Sequence, residues 1–124
     1  MMPDSQKTVI AVLDDLFFQV KIADAVKRAS LRLVVVKTEE TLLQQLEDNP
    51  VLLLIDLNCR SIDPIRLVSL LKTGPTRELP IVAYVSHVQG ELIKQAQQSG
   101  CDMVVARSAF STNLPQILLR YTSF

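Results

Sequence analysis

The stretch Val51-Leu52-Leu53-Leu54-Ile55-Asp56-Leu57-Asn58 restricts the possible folds of this chain more than any other. An unbroken apolar run that stops on a carboxylate reads as a strand buried on both faces of a parallel sheet, with Asp56 at its C-terminal edge. Open α/β sheets bind their ligands at that edge. Asp also opens the loop after a strand for reasons of its own, so the run alone does not assign Asp56 a role.

A second short β-branched run, from Thr8 to Leu13, ends in Asp14-Asp15, so two strand ends deliver three carboxylates. Neighbouring parallel strands lie about 4.8 Å apart. If these two are neighbours the acids converge, and converging carboxylates repel unless a cation or a proton is shared among them. Hard oxygen ligands of this kind suit Mg²⁺.

The rest of the chain alternates strand and helix signals. Leu16 to Ala29 places Phe18, Ile22, Ala25, Val26 and Ala29 on one helical face, with Lys21, Lys27 and Arg28 on the other. Arg32 to Lys37 is a second strand, and Thr38 caps a helix whose first turn carries Glu39 and Glu40 and whose buried stripe is Leu42, Leu43 and Leu46. After the central strand, Asp63-Pro64 forms an N-cap and N1 pair for a third helix with Ile65, Val68 and Leu71 inward and Ile62 ahead of the cap. Ile81 to Val85 is the fourth strand, followed by a short Gln-rich helix from Gln89 to Ser99, closed by Gly100 and expected to be the least securely packed. Met103 to Ala106 is the fifth strand, and Leu114 to Tyr121 the last helix, with Pro115 in its first turn.

Five β/α units joined by short connections predict right-handed crossovers and one doubly wound parallel sheet with helices on both faces. At 124 residues and 48% hydrophobic content, the chain matches one ordinary domain, residues 1–124. Its thirteen basic residues balance thirteen acidic ones without forming a basic stripe, which argues against a nucleic-acid partner. No apolar stretch approaches the roughly 20 residues that span a bilayer. The opening Met1-Met2-Pro3-Asp4-Ser5 lacks the basic and apolar pattern of a signal peptide, so the expected location is the cytoplasm. Cys59 and Cys101 have no metal-ligand spacing and are read as reduced, with Cys59 placed accessibly just beyond the Asp56 edge.

An acidic pair after the first strand, an Asp after the third, a Ser after the fourth and a basic residue after the fifth resembles the receiver domain of bacterial two-component response regulators. The resemblance covers nearly the whole chain and implies a flavodoxin-like (βα)5 fold with strand order 2-1-3-4-5. It further implies that Asp14 and Asp15, with Asp56 and the backbone carbonyl of Asn58, hold a weakly bound Mg²⁺, and that Asp56 accepts a phosphoryl group in a phosphorelay. Ser86 and Arg107 take the remaining site positions. The implied partners are a histidine kinase or a downstream effector, met through the face of the fourth helix, fifth strand and fifth helix. The resemblance also leaves room for a homodimer.

The chain departs from the family pattern in several places. The usual Lys after the fifth strand is Arg107, and the Pro that follows it is Ser108, which removes an expected cis peptide bond. A guanidinium prefers a planar contact with one carboxylate, where an ammonium acts as a point charge. Arg107 is therefore expected to form an ion pair with Asp56 and to lower its pKa. Ser86 lies one residue later after Pro80 than the family pattern places it, so Val85 competes for that position. The small residue expected next is His87, the only histidine in the chain, read as a satisfied side chain in preference to a metal ligand. Val104, three residues before Arg107, replaces the switch aromatic.

The leading expectation is thus an atypical stand-alone receiver that works by binding proteins and is not an enzyme. A phosphorylation-independent adaptor is its alternative. A small metal-dependent phosphatase or hydrolase is weaker, for no DxD follows a strand and the chain's three glycines form no phosphate loop. Few aromatics and the same lack of glycine argue against a flavin binder.

Overall fold

Five parallel strands pair in the order β2-β1-β3-β4-β5 in a computed structural model that describes residues 6–86 and 89–123. The elements are β1 (Thr8–Val12), α1 (Leu16–Arg28), β2 (Arg32–Val36), α2 (Glu39–Gln45) with a 3₁₀ turn at Leu46–Asp48, and β3 (Leu52–Asp56). They continue as α3 (Pro64–Lys72), β4 (Ile81–Val85), α4 (Gly90–Ser99), β5 (Met103–Ala106) and α5 (Arg107–Thr122). His87, Val88 and the opening residues 1–5 lie outside the described residues. No described helix is long and apolar enough to cross a membrane.

The central strands read as continuous apolar runs because both of their faces are covered. Ile10, Leu53, Ile55, Ile81 and Ala83 point into one core with Leu42 of α2, Leu67, Val68 and Leu71 of α3, and Ala96 of α4. Val9, Ala11, Leu52, Leu54, Val82 and Tyr84 point into the other, against Phe18, Ile22 and Val26 of α1 and Phe110, Leu114 and Leu118 of α5. Side chains alternate along a strand, so Asp56 follows Leu52 and Leu54 onto the α1/α5 face. Its register neighbour on β4 is Tyr84.

The helix starts follow local chemistry. Thr38 Oγ1 accepts the Thr41 N–H at 3.1 Å, and Asp63 accepts the Arg66 N–H at 3.3 Å, with Pro64 at the first helical position. Gly100 ends α4 at φ 111°, the left-handed conformation that glycine adopts without strain. Ala96 is the only fully buried residue of α4, which matches its polar sequence.

Three helical expectations are corrected. Leu43 is exposed, since α2 is only seven residues long and turns Leu42 alone fully inward. On α3, Leu67, which the expected inward face left out, is fully buried beside Val68 and Leu71, while Ile65 packs partly buried against the same core. The last helix begins at Arg107, directly after β5, and Pro115 lies in its interior. An interior proline removes one helical hydrogen bond. Burial of Phe110, Leu114, Ile117 and Leu118 along one stripe keeps the helix continuous across it.

Candidate functional site

Asp56 ends the strand at the centre of the sheet and is only 7% exposed. A tight turn follows it: the Asn58 N–H donates to Asp56 Oδ1 at 2.8 Å and the Cys59 N–H to the Asp56 carbonyl at 3.1 Å. Asp56 Oδ2 accepts no hydrogen bond among the described residues, and Asp56 has no ion-pair partner among them. Burial pushes its carboxyl above the ordinary value, against the opposing pull of the Asn58 N–H and the more distant charge of Arg107. The expected Arg107 to Asp56 ion pair, and the lowered pKa with it, are both overturned.

Arg107 pairs instead with Asp15, Nη1 to Oδ2 at 3.2 Å. The reason lies in the two helices. Asp15 is the N-cap of α1, its Oδ1 accepting the Phe17 and Phe18 N–H groups at 2.9 and 3.1 Å, which leaves Oδ2 facing outward. Arg107 opens α5, which covers the same sheet face as α1. Its guanidinium lies over the Phe18 ring, 4.7 Å from the centroid, and so reaches Asp15 before Asp56.

Asp14 turns the other way. Its Oδ2 accepts the Arg60 N–H at 2.9 Å and the Ser61 N–H at 3.3 Å, and its Oδ1 accepts the Ser61 hydroxyl at 2.7 Å. These bonds, led by the Arg60 N–H, hold its pKa below the ordinary carboxylate value. Asp14 therefore fastens the loop after β3 to the end of β1. Cys59 belongs to the same knot, Sγ at 3.5 Å from Asp14 Oδ2 and 3.2 Å from Ser61 Oγ. It is buried, which corrects the accessible placement expected of it. Cys101 is half-buried and its thiol is pushed up to about 11, chiefly by desolvation.

Asn58 bridges the ends of β3 and β4. Its Oδ1 accepts the Ser86 N–H and its Nδ2 donates to Gln89 Oε1, each at 2.8 Å. Val85 is fully buried in the core on the face opposite Asp56, whereas Ser86 follows at the strand end, half-buried. No three acidic, histidine or cysteine side chains among the described residues converge on one cation position. Asp15 and Asp56 keep one outward oxygen each, while both oxygens of Asp14 are committed to the loop.

Sequence reasoning passed over Tyr84. Its ring stacks on Phe110 at 4.6 Å and tilts against Phe18 at 5.1 Å, so three aromatics fill the space beneath the Arg107–Asp15 pair. A tyrosine within an otherwise aliphatic strand, two residues before the strand-end Ser86, was the available signal. Gln89 carried none.

No protein-family model matches the chain, and no curated protein does. Solved structures do. The Mn²⁺-bound form of response regulator Rcp1 is 14% identical with a TM-score of 0.79, covering 95% of this chain and 96% of that one. The phosphorylated cyanobacterial phytochrome response regulator RcpA is 19% identical with a TM-score of 0.83, covering 96% of each chain. The chemotaxis response regulator CheY4 of Vibrio cholerae is 14% identical with a TM-score of 0.79, covering 94% of this chain and 99% of that one. The chain has the flavodoxin-like fold of response-regulator receiver domains.

Proposed function

We propose that this chain is a receiver-type signalling module of a cytoplasmic phosphorelay, in which Asp56 takes a phosphoryl group and the loaded domain acts by binding other proteins. The observation that carries the reading is the buried Asp56 at the end of β3 with one oxygen free of partners among the described residues. An oxygen without a hydrogen bond is the better placed of the two to attack phosphorus. Oδ2 forms the new P–O bond, the bond from phosphorus to the donor's imidazole nitrogen or acetate oxygen breaks, and the leaving group takes the electron pair. The product is an acyl phosphate on Asp56.

Phosphoryl transfer needs its developing charge neutralised. Mg²⁺ fits two of the three acids: the outward oxygen of Asp15 and the second lone pair of Asp56 Oδ1, with the Asn58 carbonyl, would hold it once Arg107 leaves Asp15, and Asp56 Oδ2 stays free for phosphorus. When bound, the ion supplies charge stabilisation at the phosphoryl oxygens. Asp14 contributes by fixing the loop that carries Asn58. Ser86, at the end of β4, offers a hydroxyl to the same edge.

A donor protein has to reach the Asp56 edge, and the first turns of α1 beside it expose Leu16 (66%), Phe17 (91%) and Val20 (69%). We assign donor contact to this patch and downstream contact to the face of α4, β5 and α5. A phosphorylation-independent adaptor is the second reading, favoured by the Arg107–Asp15 pair, which stabilises one arrangement without any added charge. Titration with Mg²⁺, then with Mg²⁺ and beryllofluoride, followed by amide NMR, decides between them. Saturable shifts at Asp15, Asp56 and Asn58 that vanish in Asp56→Asn support the first reading. A spectrum indifferent to beryllofluoride leaves the second.

A further inference from the structure

Tyr84 is 1% exposed, and its hydroxyl is one of two buried side-chain polar atoms among the described residues without a hydrogen-bond partner. Burying an unpaired hydroxyl costs stability, so a phenylalanine would suit the resting core better. Tyr84 sits beside the functional edge. Tyr84 is the register neighbour of Asp56 on the same sheet face, its ring packs against Phe18 and Phe110, and the Arg107 guanidinium lies over Phe18. Of the charges acting on the phenol, Asp56 is foremost, followed by Arg107 and Asp15.

A bare aspartate side chain is much shorter than the tyrosine beside it, and the two do not hydrogen-bond. A phosphoryl group, or its beryllofluoride analogue, lengthens the Asp56 side chain and adds acceptor oxygens or fluorines. We propose that the Tyr84 hydroxyl is the donor that receives the anionic group carried by Asp56, unpaired at rest and paired once that group arrives. The inference rests on Asp56 being the phosphoacceptor. It also accounts for an aromatic on β4 in a chain where Val104 occupies the expected aromatic position on β5.

The test is a beryllofluoride titration at saturating Mg²⁺ on the unmutated protein, Asp56→Asn and Tyr84→Phe, each with a thermal unfolding curve. A hydrogen bond to a charged group contributes about 1.5–3 kcal/mol, so Tyr84→Phe should raise the beryllofluoride midpoint about tenfold or more. Its melting temperature should stay level or rise, because an unpaired buried hydroxyl has been removed. If the unmutated protein saturates and Tyr84→Phe saturates at the same concentration, the role of Tyr84 is overturned and the reading of Asp56 stands. Weaker binding with a lowered melting temperature would mean the ring had lost its place, which also overturns it. An unmutated protein indifferent to beryllofluoride takes down both.

Discussion

Arg107 Nη1 stands 3.2 Å from Asp15 Oδ2, while Asp56, on the neighbouring strand end, has no ion-pair partner among the described residues. On the proposed reading, the guanidinium thus covers a metal ligand and leaves the phosphoacceptor open. The proposed activation would then begin with a competition for Asp15, between Arg107 on one side and an incoming divalent ion on the other.

Arg107→Ala should therefore bind Mg²⁺ more tightly. The pair is partly exposed, a class worth about 0.5–1 kcal/mol, so the affinity should rise about two- to fivefold. An NMR-monitored Mg²⁺ titration reads this directly. Affinity unchanged in Arg107→Ala, or retained in Asp15→Asn, would remove Asp15 from the ion's ligands.

Asp56→Asn should stabilise the resting protein at neutral pH. The folded-state pKa of Asp56 lies above the ordinary 3.8 through burial, so the folded chain disfavours its ionisation. Stability from this group is complete below the unfolded value and is lost as pH rises through the folded one. The gain in the variant should consequently shrink to nothing below pH 3.8. Urea unfolding on the two sides of that window checks the sign, and a variant less stable at neutral pH contradicts it.

Asp14 has the opposite sign. Its hydrogen bonds to Arg60 and Ser61 lower its pKa, so its contribution is present above 3.8 and lost as pH falls through the folded value. Asp14→Ala should cost about 1 kcal/mol, since the bonds lie at an exposed loop. It should also accelerate amide exchange at Arg60 and Ser61. Unchanged exchange there would mean that Asp14 does not hold the loop.

The strands were legible because burial on both faces writes an unmistakable run, and Asp14, Asp15 and Asp56 close those runs, whereas the strand order followed only from the resemblance to receiver domains. The partner of Arg107 was not. Both Asp15 and Asp56 suit a guanidinium at the end of β5, and the choice is made by the α1 cap, which commits one oxygen of Asp15 and aims the other outward. The early start of α5 escaped for a related reason: Arg107-Ser108-Ala109 and Ser111-Thr112-Asn113 carry loop-like composition, and Phe110 becomes a helical anchor only through contacts with Tyr84 and Phe18. Long-range packing decided both cases, and no local period encodes it.

Phe17 provides the sharpest separation between chemistry and docking. It is 91% exposed, next to the Asp15 cap, and contributes nothing to the core, so Phe17→Ser should leave unfolding within about 0.5 kcal/mol of the unmutated protein. Acetyl phosphate reaches Asp56 without a docking surface and should label both proteins at the same rate. A phosphorylated protein donor that docks as proposed buries the patch that Leu16, Phe17 and Val20 present. Losing one fully buried aromatic there removes about 1.5–3 kcal/mol of contact, enough to slow transfer from the donor at least tenfold. The two donors thus read different links of the chain. Equal slowing with both would place Phe17 in the chemistry, and no slowing with either would move the donor surface away from α1.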